Sequence, residues 1–309
     1  MEDRSISLLY HCDKPAFGAF ALHRFPSGIK TEDHFLRVLK GNEIIMAVAD
    51  THKEVYSPLH PPKFPAGDQA VLRTVIKSIR TAKAGESVLK TAIQANASVY
   101  RVLKKENEAR VIAGHSLIDL NDAAQLPGAV LVIVKIDVGA KKWEMFQSCD
   151  GWCIRFNSRI KPVISPYRNA RIEEYHQKTI NHFLSKSAGD KGGMWDLFFD
   201  RLCESRRREN NMSAEAVIAN GTKLFDVLAE TQVTTGELKP KATFIIGSDG
   251  VFYDPLSFPP HREQLADWWR TNNDVKSFVK WNEDLQEQKS AGHVYEGIPE
   301  KSLLKLTMG

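Results

Sequence analysis

The chain has 309 residues, with 42 Lys and Arg against 38 Asp and Glu and a formal net charge of +4 when histidine is neutral. Hydrophobic residues at 42 % and charged residues at 26 % match an ordinary globular protein and exclude a disordered chain. The 19 Gly, 14 Pro and 4 Cys exclude collagen-like and disulfide-framework architectures.

The N-terminus, Met-Glu-Asp-Arg-Ser-Ile-Ser, has no basic stretch followed by an apolar one, so no secretory signal is expected there. Residues 5–10, 19–23 and 34–39 are short apolar runs with partial alternation, punctuated by Gly18, Pro26-Ser27-Gly28 and Gly41-Asn42, and they read as strands. Residues 43–49 are almost continuously apolar, which suits a strand buried on both faces, and the run stops at Asp50. Four prolines, two of them adjacent, make 57–65 a loop. Apolar residues at helical spacing predict helices over 68–83 and 86–107. Strands are expected at 110–113, 129–137, 142–148 and 151–156, with a hairpin turn at Gly139-Ala140. Helices are expected over 169–186, 194–208 and 221–230, followed by a buried strand at 241–247 that ends near Asp249. Trp268, Trp269 and Trp281 read as core anchors of further helices, and 302–307 as a last strand.

The longest apolar run, 129–134, is far short of the ~20 residues a spanning helix needs. Cys12, Cys149, Cys153 and Cys203 do not form the paired spacing of a zinc site and read as free thiols of a reducing compartment. A cytoplasmic monomer contacting neither membrane nor nucleic acid is the expectation. The only concentrated basic cluster, Arg206-Arg207-Arg208, reads as solvated helix surface, with a phosphate contact as the alternative. Strands, then a helix pair, then strands and helices again indicate an α+β fold with antiparallel sheets, not a doubly wound one.

Acidic residues at strand ends carry the chemistry. Asp50 and Asp249 each close an apolar strand, and such a strand fixes the backbone while the loop beyond leaves the carboxylate open. Two carboxylates brought together this way can hold hard divalent cations, which prefer oxygen ligands. An Asp after a strand serves equally well as a turn or cap residue, so the metal reading rests on several acidic motifs taken together.

In order along the chain, Thr31-Glu32-Asp33, Val48-Ala49-Asp50-Thr51, Cys149-Asp150-Gly151-Trp152 and Gly247-Ser248-Asp249-Gly250 resemble the motifs of the type 2C (PPM superfamily) metal-dependent serine/threonine protein phosphatases. The resemblance implies an αββα sandwich of two antiparallel sheets flanked by helices, one domain over 1–309 with a variable helical flap around 169–230. It implies two Mn2+ or Mg2+ ions, with a third in some members. Asp50 would bridge the two ions, the Thr51 carbonyl would complete one, and Asp249 would bind the other. Glu32 and Asp33 would act from just outside, and Asp150 occupies the third-metal position. Asp50 and Asp249 would thus be the catalytic carboxylates, with His52 a candidate proton donor to the leaving group.

This chain departs from the family pattern at four places. Asp50 is followed by Thr51-His52-Lys53-Glu54 without glycine, Cys149 precedes Asp150, Gly28 replaces a phosphate-binding arginine, and Pro299 stands at the last metal-binding Asp, leaving Glu300 as the substitute ligand. The readings are an active phosphomonoesterase acting on phosphorylated protein, a pseudophosphatase that binds a phosphoprotein or partner, and a basic binding module. The absent basic stripe disfavours the last.

Overall fold

The computed structural model describes residues 8–11, 17–24, 33–57, 59–156, 162–165, 178, 182–183, 185–186, 191–210, 216–248 and 301–308. Strands β1 (Leu8–His11), β2 (Phe17–Arg24), β3 (Asp33–Lys40) and β4 (Glu43–His52) come first. Helices α1 (Gly67–Thr81) and α2 (Val88–Ala113) follow. Strands β5 (Gly128–Asp137), β6 (Lys142–Gln147), β7 (Trp152–Phe156) and β8 (Pro162–Ile164) precede helices α3 (Lys191–Arg206) and α4 (Lys223–Leu228). The described elements close with β9 (Val233–Glu237), β10 (Thr243–Gly247) and β11 (Lys301–Met308).

The strands form two antiparallel sheets, ordered β1-β2-β11-β10-β7-β8 and β3-β4-β5-β6-β9. Alternation along β4 shows how they pack. Ile44, Met46 and Val48 point between the sheets, where they meet Val132, Val134 and Ile136 of β5 and Phe244, Ile246, Leu304 and Leu306 of the other sheet. Ile45, Ala47 and Ala49 point the other way, onto Val71, Val75 and Ile79 of α1 and Ala92 and Val99 of α2. A strand in the middle layer of a helix–sheet–sheet stack has no solvent face. That is why 43–49 and 129–134 are continuously apolar instead of alternating. The α+β fold of two antiparallel sheets flanked by helices is therefore present as expected.

Turn chemistry sets the register. Gly41, at φ +61°, and Asn42 form the two-residue link between β3 and β4, in which Lys40 pairs with Glu43. Helix α2 starts on Ser87, whose hydroxyl accepts from the Lys90 N–H, and stops at Gly114 in the left-handed conformation.

Three expectations change. Residues 110–113 are the last turn of α2 and not a strand; Val111 and Ile112 are 66 % and 88 % exposed, so their apolar character reports no burial. Strand β4 continues past Asp50 to His52, because Asp50, Thr51 and His52 keep pairing with Val130, Ala129 and Gly128 of β5. Strands β8 and β9 were not foreseen, since β8 is three residues long and β9, Val-Thr-Thr-Gly-Glu, is a mostly exposed edge strand with no apolar alternation. Trp268, Trp269 and Trp281 lie outside the described residues, as does most of the helix expected over 169–186. Among the described residues no helix is long and apolar enough to cross a membrane.

Candidate active site

One end of the sandwich gathers the acidic motifs. Continuing the alternation of Ile44, Met46 and Val48, Asp50 falls on the face of β4 turned toward the other sheet. It is half-buried. Its register partner on β3 is Asp33, and on the other side it pairs with Val130 of β5. Directly opposed residues of an antiparallel pair share a face, with Cβ atoms ~4.5–5.5 Å apart, and like charges there repel.

The connection from β6 to β7 crosses from one sheet to the other at the same end. Ser148 is locked to β5 twice: its N–H donates to the Leu131 carbonyl at 2.8 Å, and its hydroxyl oxygen accepts from the Leu131 N–H at 2.7 Å. The chain then turns through Cys149, at φ +46°, to Asp150 and Gly151. A Cβ on Gly151 would lie 2.5 Å from Val132 Cγ2 and 3.3 Å from Val130 Cγ1, so only glycine lets the crossing run this close to β5. The half-buried Asp150 is thereby held next to the end of β5 that pairs with Asp50. On the second sheet Trp152 pairs with Gly247 of β10, and its indole N–H donates to the Ser248 carbonyl at 2.6 Å. Strand β11 begins at this end too, because its Leu303 pairs with the same Gly247.

Asp33, Asp50, Thr51 and Asp150 are thus collected at one end of the fold, together with the residues that adjoin three further candidates. Glu32, Asp249 and Glu300 themselves lie outside the described residues, as do Gly28 and Pro299. All the donors in the proposed set are oxygens, the chemistry of Mg2+ and Mn2+ sites. Among the described residues no three His, Cys, Asp or Glu side chains cluster closely enough to hold a metal ion. The described carboxylates offer oxygen donors of the kind such a cation takes.

His52, two residues beyond Asp50 on β4, is turned to a different purpose from an open proton donor. Its side chain is 11 % exposed, and Nε2 lies 2.7 Å from Glu209 Oε2. Arg206 Nη1 lies against both ring nitrogens, 2.6 Å from Nδ1, and 2.8 Å from Glu209 Oε1. The Glu209 carboxylate can only accept, so the Nε2 contact is assigned with the ring proton on Nε2. Burial, and then the Arg206 charge, push the His52 pKa below its ordinary value against the pull of Glu209. Burial would raise the Glu209 carboxyl, but Arg206 and His52 outweigh it and hold the group below the usual range.

The remaining arginines of the triplet are likewise paired. Arg207 makes a two-pronged bond to Asp122 at 2.9 and 3.0 Å, and Arg208 reaches Glu204 at 2.6 Å. The solvated-surface reading holds for Arg207 and Arg208, whose side chains are exposed, while Arg206 is the part-buried member. Helix α3 also docks on the loop after β4: the Leu59 N–H donates to Asp196 Oδ1 at 3.0 Å, and His60 stacks on Phe199 with ring centroids 4.0 Å apart. Glu209 carries no sequence signal for its role, because its partner His52 is 157 residues away.

No family model matches the sequence, and no curated protein matches it. Solved structures do match in fold. The serine/threonine phosphatase PstP/Ppp of Mycobacterium tuberculosis superposes with a TM-score of 0.54 at 11 % identity, covering 95 % of this chain and 99 % of that one. RsbX in complex with magnesium gives 0.52 at 11 % identity, over 98 % and 100 % of the two chains. The PstP catalytic domain in complex with two manganese ions gives 0.50 at 12 % identity, over 95 % and 98 %. With its two antiparallel sheets, its helix pair after β4 and these neighbours along nearly its whole length, the chain has the fold of the PPM-type serine/threonine phosphatases.

Proposed function

We propose that this protein is a metal-dependent phosphomonoesterase acting on phosphoserine and phosphothreonine of a protein substrate. The observation that carries the reading is the register of Asp33 on Asp50 at the sandwich end to which the Asp150 turn also comes. Asp50, the Thr51 carbonyl, Asp249 and Glu300 would hold two Mn2+ or Mg2+ ions, Glu32 and Asp33 would support them, and Asp150 would serve a third. When bound, such a metal pair lowers the pKa of a water molecule and neutralises charge on the phosphoryl group. The chain's own contribution is to fix these oxygens on the ends of buried strands, so that little reorganisation is needed on binding. Hydrolysis breaks the P–O bond to the serine or threonine oxygen, which leaves as the alcohol, and releases inorganic phosphate. His52 has both ring nitrogens engaged by Arg206 and Glu209, so its assignment here is positional and not proton donation. The same reading takes 1–309 as one cytoplasmic, monomeric domain with a flap at 169–230.

The second reading, a pseudophosphatase that binds a phosphoprotein, is favoured by Pro299 at the last ligand position and by the absence of glycine after Asp50. One experiment separates them. Aryl phosphate hydrolysis is measured with and without Mn2+ for the wild type, Asp50→Asn and Asp249→Asn. Mn2+-dependent turnover lost in both variants supports the enzyme. Turnover absent from the wild type, with calorimetric Mn2+ binding that Asp50→Asn abolishes, leaves the pseudophosphatase. Turnover unchanged in both variants refutes the site.

A further inference from the structure

We propose that Glu209 and Arg206 are positioning residues that hold the His52 ring and thereby fix the end of β4 carrying Asp50 and Thr51. Asp50 and His52 are two apart on one strand and so face the same way. In the described residues the last rungs of β4, Thr51 and His52, pair with β5, whereas β3 reaches only to Asp33, opposite Asp50. Off the face of the sheet, the His52 side chain anchors this strand end to Glu209 and Arg206. The anchor is buried, with the His52 side chain 11 % and the Glu209 side chain 4 % exposed. A carboxylate removed from water this far costs several kcal/mol unless it is paired, and the pair it has is His52 and Arg206.

Arg206 is the last residue of α3 and Glu209 lies in the turn that follows it, and this helix is placed independently. Asp196 accepts from the Leu59 N–H, Phe199 stacks on His60, and Arg207 bonds to Asp122. The last of these contacts anchors the same helix without touching β4, which makes it the internal control. Loosening Arg207–Asp122 tests how α3 is attached; removing Glu209 tests whether it holds the candidate site.

The inference deepens the phosphatase reading, and its test has a readout independent of it. Full-length protein labelled with 15N-histidine is examined by NMR for the hydrogen-bonded Nε2–H of His52, assigned with His52→Gln. Mn2+ affinity is measured by calorimetry, and kcat and KM on an aryl phosphate. Glu209→Ala is expected to abolish the ring N–H signal, to weaken Mn2+ binding about tenfold or more, and to lower kcat similarly with KM little changed, as for groups that orient a metal ligand. Glu209→Gln, which keeps an oxygen acceptor, is expected to restore the ring signal and most of the affinity and turnover. Arg207→Ala is expected to leave all three near wild type.

The proposal is overturned if Glu209→Ala keeps the ring signal, or keeps wild-type Mn2+ affinity and kcat, or if Arg207→Ala reproduces its losses. If Glu209→Ala does not fold, Arg206→Ala takes its place, judged on Mn2+ affinity and kcat alone: wild-type values of both overturn the proposal. If the wild type neither turns over nor binds Mn2+, the phosphatase reading fails. The ring signal then decides the positioning of His52 alone: its loss on removing Glu209 supports the proposal, and its persistence overturns it.

Discussion

Lys135 offers a quantitative test of how the middle sheet is joined to α2. It sits on the helix-facing side of β5, only 7 % exposed, where a lone ammonium would be strongly disfavoured. Its Nζ donates to the Glu86 carbonyl at 2.7 Å and lies 3.4 Å from Glu43 Oε1 and 3.7 Å from Glu144 Oε1. The carboxylates reach onward, Glu43 accepting from the Gly85 N–H and Glu144 from the Val88 N–H, both at 2.9 Å. One ammonium thus ties β4, β5 and β6 to the start of α2. Lys135→Met removes the cation and leaves the 7 % exposed Glu43 carboxylate without its charge partner, a change that costs about 3–5 kcal/mol for a buried pair. Unfolding entropy of about 2.1 cal/mol/K per residue gives a chain this long roughly 0.65 kcal/mol/K, so the melting temperature is expected to fall by about 5–8 °C. Adding Glu43→Gln removes the stranded charge and is expected to recover about 2 kcal/mol, a coupling visible in a double-mutant cycle of thermal or urea melts. A loss under about 2 °C for Lys135→Met, or strictly additive effects in the double variant, would refute the reasoning.

Further predictions concern packing, pH and thiol chemistry. Gly151→Ala places a methyl 2.5 Å from Val132 Cγ2, inside the sheet–sheet core, and is expected to cost about 1–3 kcal/mol in thermal melts; an unchanged melt would show that the crossing can shift freely. Phe146→Ala empties a fully buried site beside Phe225 and is expected to cost about 3–5 kcal/mol by urea unfolding, while Phe146→Leu should cost much less. The Arg207 guanidinium holds the Asp122 carboxyl below its ordinary value of 3.8. The folded-state value being the lower one, this pair stabilises the fold above that pH and ceases to do so as pH falls through the folded-state value. With Arg207 more than half exposed the increment is about 0.5–1 kcal/mol, so the wild-type advantage over Asp122→Asn in melts at pH 7 should be lost progressively as pH is taken below 3.8. Burial pushes the Cys153 thiol up to about 12. Peptide mapping after iodoacetamide treatment at pH 8 should therefore find Cys153 alkylated only when the protein is unfolded.

Much of the fold is legible locally. The unbroken apolar runs of β4 and β5 predict strands without a solvent face, and the helix–sheet–sheet stack supplies both covers. The 110–113 segment was misread because Val111 and Ile112 are apolar without being buried, so composition pointed to a strand while the backbone simply continued α2. The Asp33–Asp50 opposition is nearly local as well, since a two-residue turn at Gly41-Asn42 leaves one register for the hairpin. His52 stood out for its closeness to Asp50, but the reason for its placement lies on α3.

By itself the sequence determined which segments are buried and where the tight turns fall. Those properties follow from periodicity and turn chemistry within a few residues of each position. Only the tertiary structure decided that the Asp150 turn comes to the end of β5 beside Asp50, that Lys135 unites Glu43 with Glu144, that Glu209 meets His52 and that Arg207 reaches Asp122. Pairings between charges this distant in sequence arise from how the sheets and α3 are stacked. No local preference of the chain encodes them, because the partners meet only once the elements that carry them have packed.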